Sequence, residues 1–159
     1  MRNSLKLIPK YLAFGGLVAA GLTGLLAVHL SQTDTYAISD AVTRQVNASQ
    51  VLDLSILGPA SWTRVCIFSP YTPAYAIEKE LGFKLRPKLF ADPDVAESEN
   101  LLVFVHGTKV DTIVEHSTSK GYFSIKGSRC FERHQAKFIK RVGADKRIHL
   151  DSNSEKKLN

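Results

Sequence analysis

The sequence predicts an α+β protein in which one N-terminal transmembrane helix precedes a small exported domain, an antiparallel sheet with one packed helix. Three observations support this prediction. Residues 11–30 form a continuous apolar run without Asp, Glu, Lys or Arg. Residues 101–116 are rich in β-branched residues on both sides of a Gly-Thr turn, which is typical of a β-hairpin. Residues 73–81 begin with a proline and are followed by a glycine, which is typical of a helix. The order strand, helix, hairpin and further strands belongs to the α+β class.

The N-terminal apolar run has the length and the flanking charges of a signal-anchor helix. Twenty helical residues span about 30 Å, which is the thickness of a bilayer's hydrocarbon core. Residues 1–10 form a basic leader that carries half of the net charge of +6, and the next basic residue after the run is Arg44. This asymmetry keeps the leader in the cytoplasm. We therefore expect a single-pass protein of a bacterial inner membrane, with residues 11–30 in the lipid bilayer and the C-terminal domain in the periplasm.

A cleaved signal peptide is the alternative interpretation of the same segment. Signal-peptide cores are shorter than this run, but Thr35-Tyr36-Ala37 supplies small residues where a signal peptidase would cut. Cleavage near Ala37 would release a secreted or periplasmic domain. Both interpretations place the remaining chain outside the cytoplasm.

The predicted membrane helix carries small residues on one face. Gly16, Ala20 and Gly24 follow one another at intervals of four, so their backbones allow a second helix to approach closely. We expect this face to support a homodimer.

The domain boundaries follow from composition. Residues 31–60 are predicted to be a juxtamembrane spacer with one short helix, in which Val42 and Val46 share a face. The exported α+β domain is expected over residues 61–142. Residues 143–159 contain few large apolar side chains and are predicted to form a flexible tail.

Within the domain, residues 62–68 read as a strand, and a helix follows. Thr72 is the expected N-cap, Pro73 the first helical residue, and Gly82 the C-terminal stop. Two later strands are expected over residues 122–125 and 130–142.

The hairpin at residues 101–116 has a predicted register. If Gly107 and Thr108 form a two-residue turn, His106 lies opposite Lys109. One face of the hairpin then collects a set of mostly apolar residues: Leu101, Val103, Val105, Val110, Thr112 and Val114. The opposite face, with Leu102 and Phe104, is expected to carry the helix.

Cys66 and Cys130, the two cysteines of the chain, are predicted to form a disulfide. An even cysteine count in an exported domain favours this pairing. The loop of about 65 residues would contribute about 4 kcal/mol to stability. A reactive Cys66 thiolate with His106 or His134 as its base is the alternative.

Motifs for catalysis, metal binding and cofactor binding are not recognisable. The histidines lack the spacing of metal ligands, and Ser117 with Lys120 has the S-x-x-K spacing without its companion motifs. Beyond the leader the net charge is only +3, which argues against nucleic acid as a partner. The sequence thus predicts no catalytic residue, no metal site and no cofactor.

Three aromatic residues near the turn after the first strand are candidate contacts with a partner. Trp62, Tyr71 and Tyr75 are of the types that are enriched in protein interfaces. We therefore predict a membrane-anchored envelope protein that binds an unidentified envelope protein or envelope polymer. The alternatives are a periplasmic or secreted enzyme of hydrolase type, and an inhibitor or immunity-type protein that is released by signal cleavage.

Overall fold

The computed structural model describes residues 35–85, 95–125 and 129–152. The predicted basic leader and transmembrane segment lie outside the described residues. Within these three ranges, no helix is both long enough and apolar enough to cross a membrane.

The described residues form an α+β fold of two helices and eight strands, which are arranged in two sheets. The elements are α1 (35–48), β1 (Val51–Asp53), β2 (Arg64–Phe68), α2 (Ala74–Leu81), β3 (Glu99–His106), β4 (Lys109–Ser117), β5 (Tyr122–Ser124), β6 (Arg129–Glu132), β7 (Lys137–Val142) and β8 (Ile148–Ser152). Sheet A has the strand order β1-β7-β8-β5, and sheet B has the order β4-β3-β2-β6. Neighbouring strands are antiparallel except for β5 and β8, which run parallel. The α+β class is confirmed, but the prediction of one sheet with one helix is incomplete.

Residues 35–60 of the predicted spacer take part in the fold. Val42 and Val46 share a helix face, as the spacing predicts, and both are completely buried in the core. The side-chain amide of Gln45 joins α1 to β1, because its Oε1 accepts from the Asp53 N–H at 2.9 Å and its Nε2 donates to the Asp53 carbonyl at 3.3 Å. The folded unit therefore begins well before residue 61.

Sheet B is covered on both faces. In β2, Val65 and Ile67 belong to a core cluster that also contains side chains of α1 and sheet A. Cys66 and Phe68 point the other way, into a second cluster that includes α2. This alternation follows from the two-residue period of a strand. Sheet B thus lies between sheet A with α1 on one side and α2 on the other.

The β3–β4 hairpin has the predicted turn but not the predicted register along its whole length. His106 lies opposite Lys109 and Val105 opposite Val110, but the next pair is Phe104 with Thr112. Asp111 is therefore the extra residue of a β-bulge, which moves the side chains beyond it to the other face. Val110 shares its cluster with Ile113, whereas Val114 lies in the opposite cluster.

Helix α2 packs on the face of sheet B that contains Leu101 and Val103, not on the face of Leu102 and Phe104 that was expected to carry it. Ile77 and Leu81 are its buried side chains, four residues apart on one face.

The predicted start of α2 is wrong by one residue, while its end is as predicted. Pro73 is the N-cap, and the Thr72 hydroxyl donates to the Ser69 carbonyl at 2.7 Å. Gly82 ends the helix with a φ of 80°, and its N–H donates to Glu78. A residue without a Cβ adopts this left-handed conformation without strain.

The C-terminal part of the chain is more ordered than its composition indicates. The strand predicted over residues 130–142 is interrupted by a 3-10 turn at Arg133–Gln135, so that β6 belongs to sheet B and β7 to sheet A. Strand β8 lies within the predicted flexible tail, and its Leu150 is completely buried.

A disulfide bond joins Cys66 to Cys130, as predicted. The two residues lie directly opposite one another on the antiparallel strands β2 and β6. Cys66 is completely buried in the cluster beneath α2. The bond therefore links a central strand of sheet B to its edge strand.

Candidate functional site

A surface cleft of about 850 Å³ lies where the ends of sheet B meet sheet A. We call it the Tyr71 cleft. Its walls are Ser69, Pro70, Tyr71, Glu97, Ser98, Thr118, Ser119, Tyr122, Lys146, Arg147 and Ile148. These residues come from the turn after β2, the loop before β3, the loop after β4, the start of β5, and the end of the β7–β8 hairpin. The volume is in the range of small-molecule sites.

Tyr71 projects from a tight turn at one wall of the cleft. The Thr72 N–H donates to the Ser69 carbonyl at 3.2 Å, and Pro70 and Tyr71 are the two central residues of this turn. Proline favours the first central position, and a φ of 62° puts Tyr71 in the left-handed region at the second. Glycine or asparagine is usual there, so a tyrosine costs about 1–2 kcal/mol of backbone strain. Its side chain is 64% exposed.

Lys146, which also lines the cleft, has a left-handed backbone as well. The β7–β8 connection is closed by a hydrogen bond from the Gly143 N–H to the Arg147 carbonyl at 2.9 Å, and its last loop residue, Lys146, has a φ of 63°. Hairpins with three-residue loops favour glycine at this position. Among the described residues, Tyr71 and Lys146 are the two non-glycine residues with positive φ, and both line the same cleft.

The walls of the cleft combine hydroxyl groups with charges of both signs. A hydrogen bond with the Glu97 side chain raises the pKa of the Tyr71 phenol above its ordinary value. The Thr118 hydroxyl donates to the Ser98 carbonyl at 3.0 Å and holds the two loops together. Lys146 and Arg147 supply positive charge at the hairpin end.

The structure separates the three aromatic residues that were predicted to contact a partner. Tyr71 lines the cleft, and Tyr75 is 74% exposed on α2 but does not line the cleft. Trp62 is only 1% exposed, so it does not form part of a surface.

Trp62 can be buried because its neighbours pack against its ring and accept a hydrogen bond from its N–H. Nε1 donates to the Leu57 carbonyl at 2.7 Å, and the ring of Phe104 meets the indole edge-on at 5.2 Å between centroids. The Arg133 guanidinium lies 4.9 Å from the ring centroid. The predicted contact role of Trp62 is therefore corrected to a core role. The predicted membrane-packing residues Gly16, Ala20 and Gly24 lie outside the described residues.

A second cluster of polar side chains adjoins the cleft on sheet A. The Ser124 Oγ lies 2.8 Å from His149 Nδ1, and His149 Nε2 lies 3.5 Å from Asp145 Oδ1. Tyr122, a residue of the cleft, places its ring edge-on to His149 with 5.9 Å between centroids. We call Ser124, His149 and Asp145 the polar relay.

The polar relay depends on the turn between β7 and β8. The backbone N–H of Arg147 donates to Asp145 Oδ1 at 3.0 Å and lowers the pKa of the Asp145 carboxyl, and His149 lowers it further. At Gly143, a Cβ would lie 2.5 Å from Asp145 Oδ1 and 2.8 Å from His149 Nε2. A side chain at position 143 would therefore displace the Asp145 carboxylate or the His149 ring from these positions.

The sequence reasoning missed the polar relay because residues 143–159 were interpreted as a tail. The pattern Ile148, His149, Leu150, Asp151 alternates apolar and polar residues and is the signal of a half-buried strand. The parallel pairing of this strand with β5 brings Ser124 close to His149. No feature of the local sequence indicates this pairing.

His116 and Asn100 form a buried polar pair in sheet B, away from the surface. They lie opposite one another on β4 and β3, and both side chains are completely buried. The imidazole Nδ1 is 3.3 Å from the Ser39 hydroxyl of α1. Burial lowers the pKa of His116 to about 4, and the positive charge of Lys120 lowers this pKa as well.

The described ranges contain no group of three or more His, Cys, Asp or Glu side chains that would hold a metal ion. Comparison of the chain with known protein families, curated proteins and solved structures finds no match.

Proposed function

We propose that the chain is a membrane-anchored envelope protein whose exported domain binds a polar, anionic envelope polymer through the Tyr71 cleft. The observation that carries this proposal is the pair Tyr71 and Lys146. Both side chains occupy backbone positions where glycine would be less strained. Strained residues of this kind cluster at functional sites, because a function that needs the side chain compensates for the cost.

The chemistry of the cleft supports a polymer with acidic groups as the ligand. Tyr71 and Tyr122 offer aromatic surface to sugar rings or other flat groups. Lys146 and Arg147 offer cations to carboxylates, and the serine and threonine hydroxyls of the walls offer hydrogen bonds. The open form of the cleft suits a chain that passes through it better than a small molecule that is enclosed.

The anchor in this proposal rests on residues 11–30, whose length and flanking charges fit a single span. Residues 35–37, where the alternative cleavage site lies, belong to α1, so an uncleaved chain keeps this helix at its full described length. We further propose that the small-residue face of Gly16, Ala20 and Gly24 pairs two copies in the membrane.

A sedimentation assay tests the cleft. Full-length protein in a mild detergent is mixed with insoluble beads that carry polygalacturonate or neutral dextran, and the bound fraction is measured. We expect retention on polygalacturonate that weakens with salt, because screening reduces the attraction of Lys146 and Arg147. Tyr71→Gly and Lys146→Gly are each expected to weaken binding about tenfold. Both variants should melt at the parent's temperature or above it, because glycine relieves the backbone strain.

Tyr36→Ala is the matched control, because Tyr36 is an equally exposed tyrosine that does not line the cleft. It should bind like the parent. Equal retention on both beads, or unchanged binding by both glycine variants, would contradict the proposal. In that case, a protein that co-purifies with the parent but not with Tyr71→Gly would indicate a protein ligand.

A further inference from the structure

The polar relay has the arrangement that a serine nucleophile needs. A hydroxyl, an imidazole and a carboxylate are connected in series, with 2.8 Å between Ser124 Oγ and His149 Nδ1 and 3.5 Å between His149 Nε2 and Asp145 Oδ1. Nucleophile, base and orienting group in hydrogen-bond reach of one another define such a site by geometry, whatever their order in the chain.

The fold holds the relay on one face of sheet A. Parallel pairing sets Tyr122 opposite His149 and Phe123 opposite Leu150. Phe123 and Leu150 point into the core, so their neighbours Ser124 and His149 point to the other face. Both ends of the Ser124–His149 hydrogen bond therefore lie on hydrogen-bonded strands, which hold side chains more rigidly than loops do.

The third member is held by the hairpin turn. Asp145 is four residues before His149, and the turn is closed by the hydrogen bonds from Gly143 N–H to Arg147 O and from Lys146 N–H to Gly143 O. The Asp145 carboxyl has a lowered pKa and is ionised at neutral pH. A carboxylate is an acceptor and so favours the imidazole tautomer that carries its proton on Nε2.

That tautomer sets the chemistry of the other nitrogen. With the proton on Nε2, the lone pair of His149 Nδ1 faces the Ser124 hydroxyl and accepts its proton. The His149 side chain is 19% exposed, so the site is sheltered and still reachable from solvent. Tyr122 links the relay to the Tyr71 cleft, because it lines the cleft and its ring meets the His149 ring edge-on.

We propose that Ser124, His149 and Asp145 form an acyl-transfer site that hydrolyses carboxylic esters with short acyl groups. Ser124 Oγ bonds to the ester carbonyl carbon while its proton moves to His149 Nδ1. The bond from that carbon to the alcohol oxygen breaks, and the alcohol leaves with the proton. Water then attacks the acyl-serine and gives a proton to His149, the bond to Ser124 breaks, and Ser124 recovers the proton. Ester and water become acid and alcohol, and the site is restored.

The short acyl group follows from the surroundings of the relay. Its nearest neighbours on the same sheet face carry charge: Asp151 lies opposite Ser124, Arg141 lies opposite His149, and the Arg141 guanidinium donates to Asp151 at 2.8 Å, while the apolar Ile139 lies beyond Asp151. Such a surface accepts a small polar ester more readily than a long acyl chain, which requires an apolar pocket.

Two readouts on the full-length protein in mild detergent test the site. The first is covalent labelling by a fluorophosphonate, located by mass spectrometry of peptides, and the second is the hydrolysis of p-nitrophenyl acetate. We expect the label on Ser124 and its loss in Ser124→Ala. His149→Gln should slow both labelling and hydrolysis on the order of 10²-fold, because general-base assistance is lost.

Asp145 is a positioning residue. Its variants distinguish a role in orienting the His149 imidazole from a role in fold stability alone. Asp145→Asn places an amide N–H donor against Nε2, which favours the tautomer with the proton on Nδ1, so labelling should fall. Asp145→Glu restores an acceptor and should recover part of the rate. Melting temperatures should remain within a few degrees of the parent's for both variants, because Asp145 is half exposed.

Ser61→Ala and His106→Gln are the matched controls, since they remove an exposed serine in the turn before β2 and an exposed histidine at the end of β3. Both should label and hydrolyse like the parent. The proposal is overturned if folded parent protein takes no label at Ser124, or if Ser124→Ala hydrolyses the ester at the parent's rate. Polymer binding by Tyr71→Gly is a separate measurement, so failure of the cleft and failure of the relay are distinguishable.

Discussion

At the scale of single residues, the buried pair Asn100 and His116 is the most costly polar feature of the core. Asn100 Nδ2 donates to the Gly121 carbonyl at 3.4 Å, while Asn100 Oδ1 and His116 Nε2 have no hydrogen-bond partner among the described residues. A buried polar atom without a partner costs about 1–3 kcal/mol. The ring of Phe123 also contacts His116 edge-on. A charged imidazole at this place would cost still more.

The fold should therefore weaken in mild acid because of His116. The folded protein protonates this residue near pH 4, whereas the unfolded chain does so near pH 6.5. Between these values the unfolded state binds more protons, so lowering the pH favours unfolding. At about 1.4 kcal/mol per pKa unit, the loss in the free energy of unfolding is about 3 kcal/mol. Urea denaturation at pH 7 and at pH 4.5 measures most of this loss in the free energy of unfolding.

The matched variants for this experiment are His116→Gln and His134→Gln. His116→Gln should lose less stability than the parent between the two pH values, although it starts lower at pH 7. His134 is exposed, and His134→Gln should show the parent's acid sensitivity. Equal pH dependence of the parent and His116→Gln would exclude His116 as the cause.

At the scale of elements, the disulfide between β2 and β6 compensates for the shortness of an edge strand. Strand β6 has four residues, and a strand of that length gains little from pairing alone. The bond attaches it to a buried strand at the directly opposite position. It also restricts the unfolded chain, since the bonded residues are 64 positions apart.

Replacing both cysteines with alanine should lower the free energy of unfolding by about 4 kcal/mol, because a long loop is released in the unfolded state. Urea denaturation with and without a thiol reductant measures this. The reductant should shift the midpoint of the parent toward that of Cys66→Ala/Cys130→Ala and should leave the double variant unchanged. A parent whose midpoint does not respond to complete reduction would contradict the expected contribution.

Elements with local signals were predictable, and elements defined by distant pairing were not. Gly82 marks the end of α2, and the turn at Gly107 marks the β3–β4 hairpin, because both depend on residues within a few positions. The bulge at Asp111 is not visible in the pattern, since apolar residues occupy both faces of β4. Strand β8 contains two large apolar residues, and its partners β5 and β7 decide its structure.

The candidate site was less predictable than the fold. Tyr71 was found from its type and its neighbouring prolines, but Lys146, which lines the same cleft, lies in the segment that was interpreted as a tail. Ser124, Asp145 and His149 are brought together by one parallel strand pair and one hairpin turn. A sequence motif cannot reveal this arrangement, because the pairing of distant strands, rather than a fixed spacing along the chain, brings the three residues together.

At the scale of the whole molecule, the folded domain begins earlier than composition indicates. Helix α1 is present from residue 35, and its Val42 and Val46 are buried in the core that joins both sheets. Lys140 of β7 donates to the Val46 carbonyl at 2.8 Å and ties the end of α1 to sheet A. The domain therefore uses the segment directly after the proposed membrane anchor as part of its core.

Protein extracted from the host's membranes should retain residues 1–37 in its intact mass. Its apolar span should also keep it in the membrane fraction after an alkaline carbonate wash. Leu17→Lys combined with Leu25→Lys should move it to the soluble fraction, because each lysine costs about 3 kcal/mol within a bilayer. Detection of a soluble species that begins near Ile38 would identify a cleaved signal peptide instead.

The order of strands in sheet A also has a consequence for how the chain folds. Strand β1 follows α1 directly, yet its partner β7 lies close to the other end of the described chain. Strand β5 likewise cannot pair before β8 has been synthesised. Sheet A therefore has a high contact order, and it cannot assemble before β7 and β8 have been synthesised. Until then, the apolar face of α1 with Val42 and Val46 lacks the part of its cover that sheet A supplies.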